Sequence, residues 1–237
     1  MRVLVLTGAG VSAESGVPTF RGKGGYWRNF DPAKLATPEA FARDPELVWE
    51  WYRERRQRIR NAQPNAAHHA ITKLAEHLDD FLLVTQNVDD LHGRAGVPKE
   101  KMVQIHGDIF VTKCSRCDFA LRGGDQEWHE LPTCTKCDAL MRPGVVWFGE
   151  QLRFNELQRV ENYLARGACD IVIVAGTTAT FGYIIDWALR ASPKRFRGEL
   201  IEVNPEETTL SEFATQVVRE PAAIALPRIV EAVIKRP

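Results

Sequence analysis

The sequence predicts an α/β fold, a parallel sheet covered by helices and interrupted by two inserted segments. Short β-branched apolar runs recur along the chain, and longer stretches of helical periodicity separate them. The alternation fails at a glycine-rich stretch beginning at Arg21 and at a cysteine-bearing stretch beginning at Lys113, and strand-like segments resume after each. At 237 residues and 44% apolar, the chain can bury a real core, which argues against a disordered polypeptide.

The elements follow in order. A first strand is expected at 2–7, where Val3, Leu4, Val5 and Leu6 form an unbroken apolar run, and a helix from Ser12 onward. Helices are expected at 45–61 and 65–77, then strands at 81–85 (Phe-Leu-Leu-Val-Thr) and 102–105 (Met-Val-Gln-Ile). The second half reads as a helix at 154–166, a strand at 171–175, a helix at 181–191 and a strand at 199–203. A helix at 206–213, a short strand at 216–218 and a helix at 227–235 complete the chain. There is no internal repeat, heptad pattern or low-complexity tract. The expected division is a sheet domain (1–21, 64–112 and 144–237), a loop-and-helix insert (22–63) and a cysteine insert (113–143).

Lys+Arg and Asp+Glu balance at 31 each, and zero net charge argues against a phosphate backbone as main partner. No run approaches the roughly eighteen apolar residues of a membrane helix, and Met1 leads into the first strand with no separate signal segment. The expectation is a cytoplasmic protein without a membrane partner, and a monomer. Thiols there stay reduced, so clustered cysteines point to a metal before disulfides.

Gly8-Ala9-Gly10-Val11-Ser12-Ala13 is a G-x-G-x-x-A pattern opening a helix. Glycines permit a tight turn and let backbone approach a pyrophosphate, which the helix N-terminus then stabilises; an ordinary strand-to-helix turn fits the same residues. A standard dinucleotide fold needs a second strand ending in an acidic residue about twenty positions on. That window holds Gly22-Lys23-Gly24-Gly25-Tyr26-Trp27, and Asp31 follows an unsuitable sequence, which disfavours a dehydrogenase. The same residues suit a loop folding over a cofactor, with Phe20 as apolar wall and Arg21 as partner of a phosphate or carboxylate.

Cys114-x2-Cys117, sixteen residues, then Cys134-x2-Cys137 is the spacing of a structural zinc site. Four thiolates leave no open position, so the metal organises the insert; paired redox CxxC motifs are the alternative. Asp118, Asp125, Glu127 and Glu130 against Arg122 make this insert a poor phosphate-binding surface. Cys169 reads as a core residue.

The strand at 81–85 runs into Gln86-Asn87-Val88-Asp89-Asp90, and that at 102–105 into His106-Gly107-Asp108. In open α/β sheets ligands bind outside the carboxyl ends of the strands, so these residues are the candidate reaction centre. Gln86, Asn87 and Asp89 can orient hydroxyls or water, and His106 has a pKa suited to neutral-pH base work. His68, His69, His77 and His129 read as structural, and His92 as bracing the loop. At 100° per residue, Val48, Trp51, Tyr52, Arg55 and Ile59 share one face of the 45–61 helix. Arg55 on that apolar stripe needs a protein carboxylate, a ligand carboxylate or a route to solvent, and Tyr52 shares its face.

Residues 8–21, Thr85 to Asp89, His106-Gly107, the four cysteines and Val145 to Glu150 together resemble the sirtuin family of NAD-dependent protein lysine deacylases, over nearly the whole chain. Tyr52-x-x-Arg55 is similar to the bacterial and mitochondrial class III branch, whose members favour succinyl and malonyl lysine. The resemblance implies a Rossmann-like NAD-binding sheet domain with a smaller domain of zinc ribbon and helical module, one structural Zn2+ and NAD as cosubstrate. It implies NAD contacts at Gly8, Ala9, Gly10, Ser12, Ala13, Glu14, Ser15, Phe20, Arg21, Trp27, Gln86, Asn87, Asp89, Gly176, Thr177, Thr178, Asn204 and Ala222. It places Asn87, Asp89 and His106 in catalysis. The acyl oxygen attacks the ribose carbon as nicotinamide leaves, and His106 then acts on the ribose hydroxyls, so that the acyl group of the alkylamidate ends on ADP-ribose. Phe20 screens that intermediate. Tyr52, Arg55, Val146, Phe148, Gly149 and Glu150 hold the acylated lysine peptide, the last four as an added strand.

The family's Gly-Thr-Ser, valine and proline are replaced here by Gly176-Thr177-Thr178-Ala179-Thr180-Phe181-Gly182. A sirtuin acting mainly as deacetylase, an NAD-dependent oxidoreductase and a non-catalytic zinc-stabilised module are the alternatives.

Overall fold

The structure, a computed structural model, describes residues 1–19, 31–123, 130–192 and 198–236. Six parallel strands form the main sheet in the order β3-β2-β1-β7-β8-β9. They are β1 (Arg2–Thr7), β2 (Asp80–Thr85), β3 (Met102–Gln104), β7 (Ile171–Ala175), β8 (Glu199–Val203) and β9 (Gln216–Val218). Strand β1 lies between β2 and β7, with Leu4 opposite both Leu82 and Val172, so strand order reverses at its edge.

The strands are continuous apolar runs because both faces are covered. Val3, Val5, Leu83 and Ile173 point to one face, beneath α4 (Ala66–His77) and α8 (Ala222–Ile234). Leu4, Leu6, Val84 and Val174 point to the other, beneath α6 (Phe154–Ala165) and α7 (Gly182–Ala191). A smaller antiparallel sheet, order β5-β4-β6, is built from β4 (Gly107–Cys114), β5 (Ala120–Arg122) and β6 (Met141–Val145). It packs with α3 (Pro45–Asn61) around Trp49, Trp51, Ile109, Phe110 and Trp147. Short helices α1 (Pro32–Leu35) and α2 (Pro38–Arg43) lead into α3, and α5 (Leu91–Arg94) follows β2.

Three expectations are corrected. The helix from Ser12 is a 3-10 turn, Ala9–Ser15, ended by Gly16 at φ 80°. Residues 206–213 form turns, because the buried Glu202 carboxylate takes the Thr208 hydroxyl, the Ser211 hydroxyl (2.7 Å) and Arg219 (2.9 Å). Hydroxyls drawn to one internal anion compete with helical pairing. The last helix starts at Ala222 rather than at Pro227, which lies inside it; burial of Ala222, Ala225 and Leu226 carries the helix across.

Candidate active site

A cavity of about 680 Å³ opens outside the carboxyl ends of β1, β2, β7 and β8. Its floor is a crossing of two turns. Gly10 N donates to Gly176 O at 2.8 Å, and a Cβ on Gly10 would stand 2.8 Å from Gly176 Cα. A Cβ on Gly8 would stand 2.7 Å from Thr177 Cβ, and Gly176 sits at φ 61°. The glycines are therefore required by backbone packing as well as by any ligand. Ala9, Ala13, Glu14, Thr178, Asn204 and Ala222 complete this wall. Asn204 Nδ2 donates to Thr177 O at 2.9 Å.

Beneath it lies a buried polar network. Ser12 Oγ donates to Asp89 Oδ2 at 2.7 Å and accepts from Asn87 Nδ2 at 3.1 Å. His68 Nδ1 accepts the Asn65 N–H at 3.2 Å, which leaves its Nε2–H for Ser12 Oγ at 3.4 Å. Burial holds His68 down to about 4 and raises the Asp89 carboxyl above its usual range. Asp89 Oδ1 accepts from Leu91 N at 3.1 Å, so both oxygens are fixed while Asn87 and Asp89 still line the cavity. Ser12 and Ser15, expected to touch the cofactor, lie off the cavity; Ser15 Oγ accepts from Asn65 Nδ2 at 3.0 Å. His68, read as structural from the sequence, holds a structural place here. Its signal was Asn65-x-x-His68, a capping box at the start of α4.

His106 stands at the end of β3. Its Nδ1 is 3.0 Å from Gln86 O and its Nε2 2.5 Å from the Tyr183 hydroxyl, and burial lowers its pKa to about 4. Gln86 Nε2 donates to Thr177 Oγ1 at 3.0 Å, joining two strand ends. Phe181 meets the imidazole edge-on, with centroids 5.5 Å apart. Phe181 and Tyr183 line the cavity and were given no role from the sequence, while Trp147, also on the lining, falls within the Val145 to Glu150 segment that carries the resemblance. The first two follow the turn after β7, so the strand-end rule that found Gln86 to Asp89 also reaches them.

The opposite wall belongs to α3 and residues 145–150. Tyr52 is buried and its oxygen accepts from Trp147 Nε1 at 3.0 Å, which leaves its own hydrogen to donate; burial pushes its pKa up to about 12. Half-buried Arg55 lines the cavity beside it, its guanidinium 5.0 Å from the Trp51 ring. Burial lowers the Arg55 pKa, opposed by Tyr52 and the Asp89 charge. The arginine deepest in the helical stripe is Arg56, which donates to Ile109 O (2.6 Å), Val111 O (3.0 Å) and Thr112 Oγ1 (3.0 Å). The stripe is therefore broader than expected, and its structural arginine is Arg56. Val146, Phe148, Gly149 and Glu150 all line the cavity. The Glu150 carboxylate is engaged by Arg142 at 2.5 and 2.9 Å and by Trp147 N at 2.8 Å, so it braces the segment. Phe20, Arg21 and Trp27 lie outside the described residues.

The four cysteine sulfurs lie within 4.8 Å of one another, and no disulfide joins them. Sγ–Sγ distances of 3.4 Å (Cys114–Cys137) and 3.6 Å (Cys117–Cys134) approach the ~3.8 Å edge of a tetrahedral Zn–S4 site. Arg116 N and Cys117 N point at Cys114 Sγ, each at 3.3 Å, as donors to a thiolate do. The residues present fit a structural zinc, and none of the four lines the cavity. Among the described residues, no helix is long and apolar enough to cross a membrane.

Residues 8–181 match the model of the Sir2 family. The chain is 45% identical over 230 residues to an NAD-dependent protein deacylase of Aquifex aeolicus, covering 97% of this chain and 94% of the relative. It is 44% identical over 234 residues to NAD-dependent protein deacylase 1 of Archaeoglobus fulgidus, covering 98% and 93%. A solved Sir2 homolog–NAD complex is similar at TM-score 0.90 and 43% identity, covering 99% and 90%, and a Sir2–p53 peptide–NAD+ complex at TM-score 0.81 and 28% identity, covering 98% and 93%.

Proposed function

The chain belongs to the Sir2 family and is an NAD-dependent protein deacylase, and from that premise we propose that it removes carboxylated acyl groups, succinyl and malonyl, from lysine in preference to acetyl. The observation carrying this is Tyr52 and Arg55 side by side on the cavity wall, a hydrogen left to donate beside a desolvated guanidinium. A charge-assisted contact in such a site is stronger than a neutral one.

NAD is consumed as a substrate. It lies across Gly8 to Glu14, with Gly176 to Thr178 and Asn204 as further contacts, the former toward a ribose, and Ala222 near the adenine. Gln86, Asn87 and Asp89 hold the nicotinamide and its ribose. The acyl oxygen of the substrate lysine displaces nicotinamide, and His106 acts as base toward the ribose hydroxyls, so that the acyl group passes to ADP-ribose. The low pKa of His106 keeps its imidazole neutral and able to accept at physiological pH. Residues 146–150 receive the peptide backbone as an added strand, while Arg142 and Glu150 hold that segment rigid. Zinc, held by Cys114, Cys117, Cys134 and Cys137, supplies structure and no chemistry.

The Asp89 charge also reaches Arg55, which supports a second reading, an enzyme acting mainly on acetyl-lysine. Competing succinyl and acetyl peptides decide between them. Arg55→Met should lower kcat/KM for the succinyl peptide by about 2 to 4 kcal/mol, roughly 30- to 1000-fold, and leave acetyl nearly unchanged. Equal rates on both peptides in wild type, unaltered in the variant, refute the preference.

A further inference from the structure

The lone pair of His106 is already engaged. Nδ1 faces the Gln86 carbonyl oxygen, which can only accept, so the ring hydrogen sits on Nδ1 and Nε2 is the acceptor. The Tyr183 hydroxyl, 2.5 Å away, therefore donates to Nε2. The phenol is held there: its ring stacks on Phe181 at 5.6 Å and 15° and tilts against buried Trp187 at 4.9 Å. Trp187 is itself anchored by its indole N–H to Glu161 at 3.1 Å. A base so occupied can act on a ribose hydroxyl only if the phenol swings away or carries the proton. Tyr183 lines the cavity, and a donating phenol oxygen keeps lone pairs with which to accept.

We propose that Tyr183 is a catalytic residue, the link through which a ribose hydroxyl of NAD passes its proton to His106. This deepens the deacylase reading and rests on it. In the step, the ribose O–H bond breaks as an O–H bond forms on the Tyr183 oxygen. The original Tyr183 O–H breaks as N–H forms at His106 Nε2. The electron pair released on the ribose oxygen makes the new bond to the acyl carbon of the alkylamidate, and the π pair of that carbon's C=N bond passes to the lysine nitrogen. His106 ends as imidazolium and Tyr183 ends neutral. Burial holds the phenol above its ordinary range, which suits a group that transmits a proton without ionising. The departure from the family motif between Thr178 and Gly182 leads directly into this residue, at the first turn of α7.

Tyr183→Phe removes the hydroxyl and keeps the ring. Nicotinamide exchange needs bound NAD and acyl-lysine but precedes the base step, so it also controls for folding and binding. The relay predicts exchange within a few-fold of wild type and formation of O-acyl-ADP-ribose slowed by about 100-fold or more. If His106 acts directly, removing its cap leaves acyl transfer unchanged or faster, which overturns the proposal. Exchange and acyl transfer falling together also overturns it. A second readout uses the wild-type enzyme: in mixed H2O and D2O, single-turnover acyl transfer moves two protons and its rate should curve with deuterium fraction. A straight line contradicts the relay. Wild type that exchanges no nicotinamide would instead remove the deacylase reading, and the relay with it.

Discussion

One hydroxyl sets the orientation of the carboxamide and carboxylate at the cavity floor. Ser12 gives its hydrogen to Asp89 and takes those of Asn87 and His68, so each group has one compatible arrangement. His68 must stay neutral for this, and burial keeps it so, down to about 4. The unfolded imidazole titrates near 6.5. As pH falls from 6.5 the unfolded chain binds a proton there that the native state refuses, and native stability declines until the folded pKa is reached. His68→Gln should therefore reduce the loss of unfolding free energy between pH 6.5 and 5 by about 1.5 kcal/mol, read from urea unfolding at the two values. An identical pH dependence in wild type and variant would show that His68 is charged in the native state. Residue types at strand ends made Gln86, Asn87, Asp89 and His106 legible. Ser12 lies behind the cavity lining, because sequence spacing does not tell which side of a turn a hydroxyl faces. Arg55 and Arg56 illustrate the same limit, since both lie near one helical stripe and only the approach of β4 decides which is enclosed.

The small sheet connects metal to reaction centre. Strand β4 begins at Gly107, directly after His106, and ends at Cys114. Arg122 on β5 reaches back to Asp90 at 3.1 Å and Asp108 at 2.9 Å, and Asp90 follows Asp89 at φ 57°. Loosening the metal end should loosen the site. Cys134→Ser, at a buried ligand, should lower Tm by about 5 to 15 °C and reduce deacylation with it, because zinc binding there is folding free energy. Full activity at an unchanged Tm would contradict the coupling. This sheet escaped the sequence reading because β4 starts three residues after β3 ends, and local periodicity does not reveal a change of sheet. The helix expected at 206–213 fails for a related reason: the competing anion, Glu202, comes from a different strand.

At the scale of the molecule, parallel strands with both faces covered announce themselves as continuous apolar runs, which is why the main sheet and its order along the chain were readable. The cavity sits where strand order reverses beside β1, and each wall comes from a different part of the chain: turns after β1 and β7, loops after β2 and β3, helix α3 and residues 145–150. No single motif specifies that enclosure, so the roles of its aromatic members Phe181 and Tyr183 emerged only from the assembled fold. The central claim is that this enclosure lets an acyl oxygen displace nicotinamide before His106 completes the transfer. Zinc-loaded protein mixed with NAD and a succinyl-lysine peptide, followed by mass spectrometry, tests it most directly. Transfer by this route yields nicotinamide and O-succinyl-ADP-ribose in equimolar amounts with the freed lysine. Free lysine appearing without nicotinamide, or with free succinate and intact NAD, would contradict it.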